Sequence, residues 1–81
     1  MKIYDFNGKK NLCGTRVKEA RKKLKLSQEQ LAAKMQIEGV ILERDCISRI
    51  EIGTRFVADY EVMILSKILK VSPAYLLGLE D

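Results

Sequence analysis

Leu26-Ser27-Gln28-Glu29-Gln30-Leu31-Ala32-Ala33-Lys34-Met35 is the stretch that decides how this 81-residue chain folds. Ser27 with Gln30 three residues on has the form of a capping box: the hydroxyl accepts from the later N–H while the amide side chain reaches back. A helix therefore starts at Gln28, with Leu31, Ala32 and Met35 facing inward. Upstream, Val17, Ala20, Arg21 and Leu24 fall at i, i+3, i+4 and i+7, opposite Lys18, Lys22 and Lys25. This is an amphipathic helix over roughly 14–24. Downstream, residues 36–43 are apolar without helical period and are broken by Gly39. They read as a connection whose Ile37, Val40, Ile41 and Leu42 cover the core.

A third helix is expected over roughly 43–51. Ile47, Ile50 and Glu51 share one side, while Asp45, Ser48, Arg49 and Ile52 share another. Gly53 stands where a left-handed C-cap residue ends a helix. Asp59 caps a fourth helix that carries Val62, Leu65, Ile68 and Leu69 inward and ends near Val71. Ser72-Pro73, an N-cap followed by Pro at the first helical position, opens a short fifth helix with Leu76 and Leu77, closed by Gly78. The expectation is an all-α fold of five helices over residues 14–81, preceded by an N-terminal arm, 1–13, in which Asn7-Gly8 marks a turn.

Composition narrows the chemistry. With no His, the usual general base and the Ser–His and Cys–His nucleophile pairs are missing. Cys13 and Cys46 stand far apart and cannot supply a four-ligand structural metal site. No enzyme, metal, cofactor or small-molecule substrate is expected. Two cysteines are no disulfide framework, no apolar run approaches membrane-spanning length and no secretory signal opens the chain, so a cytoplasmic setting without membrane contact is expected.

The net charge of +4 is unevenly spread. Residues 1–25 hold nine basic side chains (Lys2, Lys9, Lys10, Arg16, Lys18, Arg21, Lys22, Lys23 and Lys25) against Asp5 and Glu19. Such one-sidedness suits a polyanion through counterion release, and equally suits a solvated lysine-rich helix.

Two charges fall on faces assigned to the core, Arg21 on the first helix and Glu51 on the third. A buried charge needs a partner, and the economical solution is an ion pair between them that sets the angle of the two helices. The outer face of the third helix carries Arg44, Asp45, Ser48 and Arg49, short and forked hydrogen-bonding groups rather than an idle Lys/Glu surface. Arg can take two acceptors on a guanine edge, Asp can accept from cytosine, and Ser can do either, all within a major groove that admits a helix. Gln28 with the N–H groups around it, Thr54 and Arg55 are candidate phosphate ligands, and Lys18 would add affinity without choosing a sequence.

The runs Leu26–Met35 and Ile47–Arg55 resemble the helix-turn-helix of the Cro and phage-repressor (XRE) family, whose L-S-Q-E-x-L-A and I-S-x-I-E-x-G-x-R segments are present in order. The tail Leu69–Gly78 resembles the family's closing helix, so the likeness covers about residues 14–78. It implies a sequence-specific DNA-binding transcriptional regulator, expected to be a repressor that binds an inverted-repeat operator in double-stranded DNA as a homodimer. The second helix would cross the backbone and the third would read bases. By that resemblance Gln28 contacts phosphate, Arg44, Asp45, Ser48 and Arg49 read bases, and Arg21 and Glu51 form the structural pair. The connection between the second and third helices is several residues longer than is usual in the family, which leaves Arg44 and Asp45 to fall either in the connection or in the helix.

A protein-interaction module on the same scaffold, antitoxin-like or antirepressor-binding, is the alternative. It would place large apolar residues on the outer stripe, where Ile52 alone is one. In the arm, packing by Ile3, Tyr4 and Phe6 is preferred over phosphate tracking by Lys9 and Lys10. Cys46 is read as a semi-buried filler rather than a redox group. Tyr75, Leu76, Leu77 and Leu79 offer apolar surface for self-association unless the first and fourth helices cover it.

Overall fold

The computed structural model describes residues 5–81. Five helices follow one another: α1 (Gly14–Lys23), α2 (Gln28–Ile37), α3 (Arg44–Ile52), α4 (Asp59–Leu69) and α5 (Pro73–Leu76). The fold is all-α, and the pairing outside helices is a single antiparallel bridge between Phe6 and Lys9 among the described residues. None of these helices is long and apolar enough to cross a membrane.

The Ser27 capping box forms on both sides, Gln30 N donating to Ser27 Oγ at 3.0 Å and Ser27 N to Gln30 Oε1 at 2.8 Å. Ser72 caps α5 in the same way, accepting from Tyr75 N at 3.0 Å. Gly53 closes α3 in the left-handed region (φ 96°), its N–H bonding back to Arg49 O and Ile50 O.

α3 packs on both α1 and α2, α4 packs on α1, α2 and α5, and α5 also meets α1. Val17, Leu31, Met35, Ile47, Ile50, Leu65 and Leu76 are wholly buried. Each large aliphatic side chain contributes about 1.5–3 kcal/mol through removal from water. The α1–α3 contact is close enough to demand glycine: a Cβ on Gly14 would lie 2.1 Å from Ile50 O. Any other residue would force the two backbones apart.

Four expectations change. Ala58, not Asp59, occupies the N-cap of α4, and the cap's N–H is taken by Glu61 Oε1 at 2.9 Å. Asp59 is the first helical residue, where a negative charge still suits the helix dipole. Ile37 and Ile41 do not cover the core: they are 83% and 72% exposed. After Gly39 the side chains alternate, Val40 and Leu42 turning inward and Ile41 and Glu43 outward, so only half of this apolar run can reach the interior. Leu77 lies beyond α5 and is exposed, while Leu76 is buried. α4 stops at Leu69 because Lys70 adopts a left-handed conformation (φ 61°).

Ile3 and Tyr4 lie outside the described residues, as does Lys2. Of the rest of the arm, Phe6 is exposed, and Phe6 and Lys9 bond across the Asn7-Gly8 turn.

Candidate nucleic-acid interface

α3 presents the site. Glu43 is its N-cap residue, in extended backbone conformation, which puts Arg44 and Asp45 at the first two helical positions rather than in the connection. Ile47, Ile50 and Glu51 are buried, so the opposite stripe of Asp45, Ser48, Arg49 and Ile52 faces outward. Asp45 and Arg49 are exposed and Ser48 is half-buried. The side chain of Arg49 makes no hydrogen bond or ion pair among the described residues and is available to a ligand. Cys46 is half-buried and packs on the core between this stripe and Ile50.

A polar chain supports the start of α3 from within. Arg21 Nε donates to Glu51 Oε2 at 2.6 Å and its Nη2 to Glu51 Oε1 at 3.1 Å, with both residues buried. The remaining Arg21 nitrogen, Nη1, donates to Leu26 O at 2.8 Å, which ties the pair to the chain just before α2. Gln28 Nε2 donates to the same Glu51 carboxylate at 3.0 Å. Gln28 Oε1 in turn accepts from Arg44 Nη1 at 3.2 Å, and Arg44 Nη2 reaches Asp45 Oδ1 at 3.4 Å. A guanidinium buried under α1 is thereby linked, through one carboxylate and one amide, to an exposed guanidinium at the head of α3. No buried side-chain nitrogen or oxygen among the described residues lacks a partner.

The residues expected to meet phosphates are placed differently from one another. Gln28 is half-buried and turned toward Glu51, with one of its two amide hydrogens uncommitted. Lys18 is exposed on α1, off the buried side formed by Gly14, Val17, Ala20 and Arg21. Thr54 is exposed, and its hydroxyl lies 3.5 Å from Arg49 O. Arg55 is committed to a pair that sequence reasoning missed: Nη1 and Nη2 donate to the two oxygens of Glu61 at 3.0 and 3.2 Å, and Nη1 also to Phe56 O at 2.9 Å. Hydrogen bonding to Glu61 raises the pKa of Arg55, so the guanidinium stays charged. Glu61 is 4% exposed and also caps α4. Its signal was its place three residues after the helix cap.

Asn11 and Lys9 were missed as well. Asn11 Nδ2 donates to Ile50 O at 3.1 Å and Arg55 O at 2.8 Å, while its Oδ1 accepts from Gly14 N at 2.8 Å. Lys9 Nζ donates to Ile52 O at 3.0 Å and Lys10 N to Gly53 O at 2.8 Å, so the arm binds the end of α3. An Asn shortly before a helical period is a local capping signal, but nothing local announces its second pair of partners.

With this geometry in place, the sequence model of the helix-turn-helix domain family matches residues 14–81. The chain belongs to the helix-turn-helix family of Cro and phage-repressor (XRE) type. This is a family of DNA-binding regulators rather than enzymes. Among solved structures, the chain is similar to the P22 c2 repressor protein, crystallised in complex with synthetic operator 9T in the presence of Tl+. Identity is 36%, the TM-score is 0.67, and the match covers 86% of this chain and 98% of that one. No curated protein matches the chain. In this helix-turn-helix, α2 and α3 are the two motif helices. The DNA-binding regulator read from the sequence stands on these matches together with the fold.

Proposed function

We propose that this helix-turn-helix protein is a transcriptional repressor that occupies an inverted-repeat operator as a homodimer, reading bases in the major groove through α3. The observation that carries the reading is the outward stripe of α3: Arg49 is uncommitted, Ser48 and Asp45 flank it, and Arg44 is held by Gln28 at the end of the helix that meets base edges. Similarity to a repressor solved on an operator supports the same direction.

Arg44, Asp45, Ser48 and Arg49 are the base-reading residues in this reading, and Gln28, Lys18, Thr54 and Arg55 the phosphate ligands. Gln28 still has one amide hydrogen to give, and Arg55 retains its Nε–H and one Nη2 hydrogen beside its bonds to Glu61 and Phe56. Both can bind a phosphate without abandoning their internal partners. Arg21 and Glu51 touch no DNA and hold α3 at its angle.

For the dimer, Tyr75 and Leu76 drop out as contact residues: Leu76 is buried and Tyr75 lies under Arg16, whose guanidinium carbon is 4.8 Å from the ring centre. Leu77 remains, bordering a shallow groove with Phe6, Leu12 and Phe56, and Leu79 is 77% exposed nearby in sequence. Apolar side chains gathered in this way suit a second copy of the chain, which would place two α3 helices on half-sites about one DNA turn, ~34–36 Å, apart.

The reading is tested by titrating a duplex selected from a random pool and a shuffled duplex of the same composition. Arg49→Ala is expected to weaken the selected duplex by ~1–3 kcal/mol and to relax preference at one base position. Equal loss on both duplexes would count against base reading by Arg49.

A further inference from the structure

We propose that Asn11, in the arm and outside the family-matched residues 14–81, is a positioning residue for base reading. It fixes the last turn of α3 from the side of the arm, next to the Glu51 anchor on Arg21, while Gln28 holds Arg44 at the start of the helix. The proposal rests on the DNA-reading function given above.

The last carbonyls of a helix have no partner within it. In α3, Arg49 O is taken by the N–H groups of Gly53 and Thr54, and Ile52 O by Lys9 Nζ, a cation at the end of the helix that favours one. Ile50 O is shared between Gly53 N and Asn11 Nδ2. The second hydrogen of the same Asn11 amide goes to Arg55 O, two residues past the helix cap, where the Arg55 side chain is itself clamped on Glu61. One side chain thus joins the final turn of α3 to the connection that follows, and through Gly14 N to the start of α1. Both amide hydrogens and the carbonyl oxygen of Asn11 are in use, and the residue is half-buried. Gly14 against Ile50 O leaves no slack at this point. A reading helix must be held to about 0.5 Å for its side chains to meet particular base edges. A clasp on Ile50 O, one residue from the Glu51 anchor, gives the last turn of α3 a second fixed point and so limits rotation about that anchor, which would carry Arg49 and, further along the helix, Arg44 off their base edges.

Asn11→Asp separates the clasp from a role confined to α1. A carboxylate still accepts from Gly14 N but can donate to neither Ile50 O nor Arg55 O. Asn11→Ala removes all three bonds, so if it fails to fold, Asn11→Asp carries the test. Two readouts are taken on the full chain. Amide exchange at Gly53 and Thr54, referred to core amides such as Leu65, is expected to quicken about tenfold in Asn11→Asp, the size expected from losing a bond of ordinary net strength. The affinity ratio between a duplex selected from a random pool and a shuffled one is expected to fall by about the same factor, with the shuffled duplex bound within about twofold of wild type. Wild-type behaviour of Asn11→Asp in both readouts overturns the proposal. So does faster exchange with an unchanged ratio, since the clasp would then be structural only. If the wild-type chain selects no duplex, base reading itself fails, and exchange alone decides whether the clasp exists.

Discussion

Gln28 Nε2 donates to Glu51 Oε1 across 3.0 Å, joining the first residue of α2 to the buried side of α3. Its amide oxygen accepts from Arg44 on the other side. A carboxylate can only accept and a guanidinium can only donate, so the two neighbours leave one orientation open to the amide. Gln28 → Glu51 ← Arg21 is therefore a chain of charge-assisted bonds running from beneath α1 to the edge of the reading face.

The Arg21–Glu51 pair is coupled. A double-mutant cycle with Arg21→Ala and Glu51→Ala, followed by urea unfolding, is expected to show single-mutant losses of about 3–5 kcal/mol, because each leaves a buried charge alone. The interaction energy is expected to lie within about 0.5–3 kcal/mol. Strictly additive losses would show that the two side chains do not depend on one another.

Gln28→Glu sets a second carboxylate against Glu51 in place of a donor. Loss of a hydrogen bond to a charged group costs about 1.5–3 kcal/mol, which urea unfolding should register. The same change draws Arg44 into an ion pair with the new carboxylate and should weaken DNA binding at constant salt. Unaltered stability would mean that the Gln28–Glu51 contact adds nothing.

Glu61 serves two partners at once, the Arg55 guanidinium and the Ala58 N–H. Glu61→Ala strands a partly buried Arg55 and uncaps α4, and is expected to cost about 3–5 kcal/mol by denaturant unfolding. Glu61→Gln keeps an acceptor and should cost less. Equal cost for the two would assign the whole effect to the lost charge and leave nothing to the cap or the packed side chain.

Cys13 is 1% exposed, and burial pushes its thiol from the ordinary 9.0 up to about 11. A raised folded pKa favours the protonated thiol in the native state, so its contribution is complete below pH 9 and is lost as pH rises through about 11. Between those values the unfolded chain has released the proton and the folded one has not. The stability advantage of wild type over Cys13→Ala is expected to shrink by about 2–3 kcal/mol across that window in chemical denaturation at stepped pH. A difference that is flat with pH would contradict it.

Much of the framework was legible because its signals are local. The Ser27–Gln30 capping box, Gly53 and Ser72-Pro73 each depend on residues within one helical turn, and each helix end falls where they put it. Arg21 and Glu51 were legible for another reason: a charge on an apolar face needs a partner, and two such faces offered only each other. Ile37 and Ile41 went the other way because an aperiodic apolar run does not say which side chains turn inward. Asn11 and Glu61 carried only local capping signals, and Lys9 none, because their other partners are backbone carbonyls far along the chain or an arginine outside their own helix. Polar residues of this kind look like ordinary surface until the backbone is placed.

The most direct test of the account is selection of bound duplexes from a random pool with the purified protein at moderate salt. Base reading by Arg44, Asp45, Ser48 and Arg49 in a two-fold dimer predicts an enriched motif that is an inverted repeat, with half-site centres about one helical turn apart. A pool that stays random while the protein binds it in a salt-dependent way would contradict the account, leaving a basic protein that holds DNA without reading it.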